Sequence, residues 1–89
     1  MTSYVLSLAP SAQRQLTRLP DKVIPAVVDL LTAALLENPL RLSKALTGEF
    51  EGLRSARRGD YRVLFYLDDD AVVVVRIAHR ALAYRPPSP

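Results

Sequence analysis

The sequence predicts an α/β fold of the α+β kind, in the order β-α-α-β-β-β, with a short closing stretch as a candidate further strand. Three observations predict it. Apolar residues recur at helical spacing through residues 10–38. From Phe50 the pattern changes to strand-like alternation and keeps it to Ile77. Pro20, Gly59-Asp60 and Asp68-Asp69-Asp70 then mark where the chain turns.

Residues 3–8 are a first strand, broken by Ala9-Pro10-Ser11. Pro10 suits the first position of a helix, where its missing N–H costs nothing. Ala12, Leu16 and Leu19 line one face of that helix, and Pro20 ends it. Asp21 is a candidate cap for a second helix, whose stripe is Ile24, Val27, Val28, Leu31, Ala34 and Leu35. Pro25 must sit in its first turn. Asn38-Pro39 stops it, and residues 39–49, with Lys44, Leu46 and Gly48, read as a loop.

The second half is a meander. A strand from Phe50 to Arg58 places Leu53, Ser55 and Arg57 on one face and Arg54, Ala56 and Arg58 on the other. After Gly59-Asp60, Tyr61 to Leu67 alternates Tyr61, Val63, Phe65 and Leu67 against Arg62, Leu64 and Tyr66. Asp68-Asp69-Asp70 is a tight, solvated turn. Ala71 to Ile77 is β-branched and apolar on both faces, so it is an interior strand. Residues 78–85 are the candidate closing strand, and Pro86-Pro87-Ser88-Pro89 is a frayed, proline-rich tail. Residues 1–85 thus form a single domain in which two helices bury their stripes on one sheet face and leave the other free.

Composition narrows the chemistry. With 89 residues, 49% of them apolar, the chain is long enough for one small packed core. It contains no cysteine, which removes disulfides, thiolate metal sites and thiol nucleophiles. A single histidine without a carboxylate cluster gives no metal site. The start of the chain has no signal-peptide pattern and no apolar run reaches membrane length, so the expected location is cytoplasmic. The net charge is +3. Its cations crowd the second half as Arg54, Arg57, Arg58, Arg62, Arg76, Arg80 and Arg85, and arginine is the residue best shaped to grip phosphate.

Taken together, Leu16-Thr-Arg-Leu-Pro20, the hairpin Ser55-Ala-Arg-Arg-Gly-Asp-Tyr-Arg-Val-Leu-Phe-Tyr66 and the ending Ile77-Ala-His-Arg-Ala-Leu-Ala-Tyr-Arg85 resemble the RelE/ParE superfamily of bacterial toxins, closest to its RelE branch. The likeness covers residues 3–85. It implies a RelE-like domain with a mostly antiparallel sheet under two helices. It implies a metal-free, cofactor-free endoribonuclease that cuts messenger RNA on the ribosome and is held inactive by a RelB-like antitoxin. Ribosome, messenger RNA and antitoxin are the expected partners, with no membrane. Two alternatives stay open: a ParE-like inhibitor of DNA gyrase without catalysis, and a degenerate toxin.

By the same resemblance, Arg62 matches the arginine that holds the scissile phosphate and Tyr84 the tyrosine that stacks on or orients a base. His79 and Arg80 fall in the basic cluster before it. Leu53 and Ser55 stand where the best-known member has lysines. RNA self-cleavage needs the 2′-hydroxyl deprotonated, the phosphate charge neutralised and the leaving oxygen protonated. Arg62 suits the second task, and its plainer role is a hairpin-edge arginine paired with Asp60. His79 belongs to the residue type that titrates near neutral pH; its plainer role is structural. Arg80 is a second phosphate clamp or a solvated cation. Arg57, Arg58 and Lys44 are candidate RNA contacts, although Arg57 and Arg58 cannot line one groove on a regular strand.

Overall fold

The computed structural model describes residues 4–85. Its elements are β1 (Val5–Leu8), α1 (Pro10–Thr17), α2 (residues 24–37), β2 (Ser43–Ala45), β3 (Arg54–Arg58), β4 (Tyr61–Asp68), β5 (Ala71–His79) and a C-terminal helix, α3 (Arg80–Ala83). The strands form one sheet in the order β1-β5-β4-β3-β2. β1 runs parallel to β5, and every other pairing is antiparallel. The tail at residues 86–89 and the start of the expected first strand lie outside the described residues.

One face of the sheet carries the core. Ala56, Val63, Phe65, Val72, Val74 and Ile77 meet Ala12 and Leu19 together with Val27, Leu31 and Leu35 of α2. Each fully buried aliphatic or aromatic side chain contributes about 1.5–3 kcal/mol. Val27, Leu31 and Leu35 are spaced by four, which would drift around a regular α-helix. The helix instead widens to a π-helical turn at Leu30–Ala34, between α-helical Ile24–Asp29 and Leu35–Glu37. Widening slows the rotation per residue, so all three side chains stay on the core line. Two members of the expected stripe, Val28 and Ala34, are exposed rather than on the core line. Asp21 does not cap this helix: the N-cap is Val23, which has no side-chain cap bond, while Pro25 lies in the first turn as required.

Two expectations are corrected in the middle of the chain. Residues 39–49 are not all loop, because Ser43–Ala45 pairs with β3, Lys44 standing opposite Ser55. Arg54 holds this edge in place: its Nε donates to Ser43 Oγ at 2.7 Å and its Nη2 to the Ser43 carbonyl at 3.2 Å. Nor does β3 begin at Phe50. Gly48–Phe50 is a single 3₁₀ turn, and Gly52, at φ 96°, bends the chain before Arg54.

A β-bulge governs the far side of the sheet. Leu64 opposes Arg76 but Phe65 opposes Val74, so Val75 is the extra residue. Val72 and Val74 face the core; unbroken alternation would send Arg76 there too. The bulge resets the phase, turning Ile77 into the core and Arg76 to the opposite face. Past Leu8, β1 no longer covers β5. Side chains of α1 take over, with Ser11 Oγ donating to the Val75 carbonyl at 2.9 Å and the Ile77 amide donating to Gln15 Oε1 at 2.7 Å.

The expected closing strand is a helix instead. β5 runs on to His79, and the chain then coils as Arg80-Ala-Leu-Ala, with His79 Nδ1 accepting from the Ala81 amide at 3.1 Å. This helix lies against β4 and β5. The second face of the sheet is therefore partly covered rather than free, and Leu64 and Ala83 are buried there.

Phe65 is the largest fully buried side chain. Phe65→Ala is expected to lower the unfolding free energy by about 3–5 kcal/mol, read in urea titration as a lower midpoint at unchanged slope.

Candidate RNA-binding groove

The open part of the second face is a groove of about 700 Å³ at its β2–β3–β4 end. Cross-strand pairing assembles it. Lys44 stands beside Ser55 and Arg57 stands directly opposite Arg62. Arg41 lines the β2 side and Tyr84 the other. Two like charges opposite each other in a sheet repel. No carboxylate relieves them: among the described residues the one ion pair is Arg80 with Asp60, at 3.8 Å and largely exposed. The groove lining thus holds four cations, three hydroxyls and no acid.

Arg62 is held from behind. Its Nη1 donates to the carbonyls of Gly59 and Tyr61, both at 3.1 Å. Nε and Nη2 have no partner among the described residues, and that edge of a guanidinium is the one that grips two oxygens of a phosphate. The pairing with Asp60 weighed above is absent, since Asp60 faces Arg80. The Tyr84 hydroxyl shares a 2.7 Å hydrogen bond with Ser55 Oγ, which is buried in the groove floor. Its ring meets Phe50 edge-on at 6.3 Å.

The structure does not bring all the sequence-derived candidates together. Lys44, Arg57, Arg62 and Tyr84 converge. Arg58, one residue past Arg57, does not line the groove. His79 is on the core side of the sheet, edge-on against Tyr61 at 5.5 Å, beside a separate and mainly apolar cavity of about 450 Å³. With Nδ1 occupied as a helix cap, its ring is part of the C-terminal turn. Arg80 lines neither cavity. Arg41 and Arg76 were not singled out by sequence reasoning. Arg41 carries no local signal. Arg76 does: a lone cation inside Val-Val-Val-Val-Arg-Ile needs polar partners.

Comparison with known proteins decides the family. The profile described as "ParE toxin of type II toxin-antitoxin system, parDE" matches residues 6–84. Toxin RelE of Mycobacterium tuberculosis is 45% identical over 84 residues, covering 92% of this chain and 87% of that protein. The chain belongs to the RelE/ParE toxin family. Toxin RelG of the same organism is 42% identical over 84 residues, covering 92% and 97% of the two chains. The crystal structure of the toxin–antitoxin complex RelBE2 from Mycobacterium tuberculosis superposes with a TM-score of 0.85 at 41% identity, covering 91% of this chain and 95% of that one. The RelE-like α+β architecture expected from the sequence is therefore the observed one. Among the described residues no helix is long and apolar enough to cross a membrane, and no three His, Asp or Glu side chains cluster to hold a metal ion.

His79→Ala removes the cap of the C-terminal helix. The expected loss is about 1 kcal/mol of stability, measured by thermal denaturation against wild type.

Proposed function

We propose that this RelE/ParE-family chain is a ribosome-dependent endoribonuclease of the RelE branch, acting in the cytoplasm and silenced by a RelB-like antitoxin. The observation that carries the reading is the acid-free cationic groove in which Arg57 and Arg62 stand side by side and face Lys44. Identity of 42–45% to RelE and RelG supports the branch.

The reaction is attack of an RNA 2′-hydroxyl on the adjacent phosphorus. A 2′-O–P bond forms and the P–O5′ bond breaks, leaving a 2′,3′-cyclic phosphate and a 5′-hydroxyl. A proton leaves the 2′-oxygen and one reaches the 5′-oxygen. Negative charge builds on the non-bridging oxygens, where Nε and Nη2 of Arg62 meet it and Arg57 adds a second cation. These groups are pre-positioned by the sheet and need no rearrangement as the charge develops. Lys44, across from Ser55, brings an amine beside one of the positions where the family resemblance leads one to expect lysine. Tyr84 offers a half-exposed ring on which a base can stack, an interaction worth about 1–3 kcal/mol. His79 and Arg80 serve this reading as supports of the C-terminal turn.

Primer extension on messenger RNA translated with purified ribosomes tests it, with naked RNA as control. Wild type is expected to cut within ribosome-occupied codons only. Arg62→Ala is expected to lose about 10²–10³ in cleavage rate, the usual effect of removing one preorganised charge stabiliser. Growth arrest without any cuts would favour the gyrase inhibitor to which the ParE name of the matching profile points. Neither cuts nor arrest would mark an inactive toxin.

A further inference from the structure

We propose that Arg76 is a positioning residue: its guanidinium clamps the backbone on both sides of Tyr84 and so fixes that ring at the rim of the groove. The consequence for cleavage rests on the function proposed above; the clamp itself does not.

Arg76 reaches this place only because the bulge at Val75 turns it out of the core. Its Nη1 donates to the Ala83 carbonyl at 2.9 Å and to the Arg85 carbonyl at 2.6 Å. Those two carbonyls bracket Tyr84. A helix of four residues has no stability of its own, and the last carbonyls of any helix lack partners. One half-buried arginine answers both needs, and its positive charge suits the negative end of the helix. The same guanidinium lies 5.8 Å from the centre of the Phe50 ring, close enough for a cation–π contact. Phe50 in turn abuts Tyr84, whose hydroxyl is tied to Ser55. Tyr84 is thereby held at three points, through its backbone, its ring and its hydroxyl, and Arg76 takes part in the first two.

The alternative is that Arg76 is itself a phosphate ligand. Geometry opposes it. Its side chain lines the apolar cavity rather than the cationic groove, away from Arg57, Arg62 and Lys44.

The test compares wild type with Arg76→Lys and Arg76→Met, each carrying 3-fluorotyrosine, by ¹⁹F NMR and by ribosome-dependent cleavage. Tyr84→Phe assigns the Tyr84 signal. In Arg76→Met that signal is expected to narrow and move toward the free amino acid, while the other three tyrosine signals stay put. Cleavage is expected to fall roughly tenfold or more in kcat with KM for the ribosome complex nearly unchanged, the pattern of an interaction felt in the transition state. Arg76→Lys, which keeps the charge but loses the planar fork, is expected to recover part of both. An unmoved Tyr84 signal in Arg76→Met overturns the clamp. A displaced signal with unchanged kcat overturns its role in cleavage. If all tyrosine signals collapse in Arg76→Met, Arg76→Lys decides: a Tyr84 signal identical to wild type there overturns the need for the fork. If wild type does not cut RNA, the proposed activity fails while the Tyr84 signal still decides the clamp.

Discussion

Arg57 and Arg62 stand opposite each other across two hydrogen-bonded strands, and the rest of the structure is arranged around that pair of like charges. The cost of bringing them together is small, about 0.2–1 kcal/mol for an exposed cross-strand pair, but it is uncompensated. The adjacent turn supplies an acid, Asp60, and that acid faces Arg80 instead. The other acids of the hairpin, Asp68 to Asp70, lie at the far end of β4. Six residues at about 3.3 Å each put Asp68 roughly 20 Å from Arg62, more than two screening lengths at physiological salt. A surface kept positive in this way is prepared for an anion that comes from outside the molecule.

The sheet divides the labour between its faces. Helices α1 and α2 seal one face with a core that makes the strands rigid. The cationic groove occupies the other, so the spacing of its side chains is set by strand register rather than by loop conformation. Tyr84 comes from the C-terminal helix's end rather than from a strand, and it is held through its backbone, its ring and its hydroxyl. The bulge in β5 links the two faces: one extra residue sends Ile77 into the core and Arg76 to the C-terminal segment. A change in the length of that strand would move a core residue and a site support at once.

Much of this was legible in the sequence, for identifiable reasons. Pro10, Pro25, Gly59 and the aspartate turn are strong local signals, and the alternation from Tyr61 to Leu67 places Val63 and Phe65 correctly in the core. The convergence of Arg57 and Arg62 follows from a two-residue turn at Gly59-Asp60. What escaped depends on non-local pairing. Ser43–Ala45 is too short to show a period and is a strand only because β3 lies beside it. The phase of Arg76 and His79 depends on a bulge that alternation conceals, which is why His79 was grouped with Arg62 although the two side chains leave opposite faces of the sheet. Residues 80–83 look as compatible with a strand as with a helix until the cap from His79 and the clamp from Arg76 are seen.

The central claim is that the groove is an anion site maintained against its own repulsion. Thermal denaturation of wild type and Arg57→Gln over a range of ionic strength tests it most directly, because Arg57 is exposed and its removal leaves the core intact. At low salt the variant is expected to be the more stable by a few tenths of a kcal/mol, about the worth of one like-charge pair, and the difference is expected to vanish as salt rises. A variant less stable than wild type at every salt concentration would contradict the account, and would show that Arg57 is held there by the fold and not for a ligand.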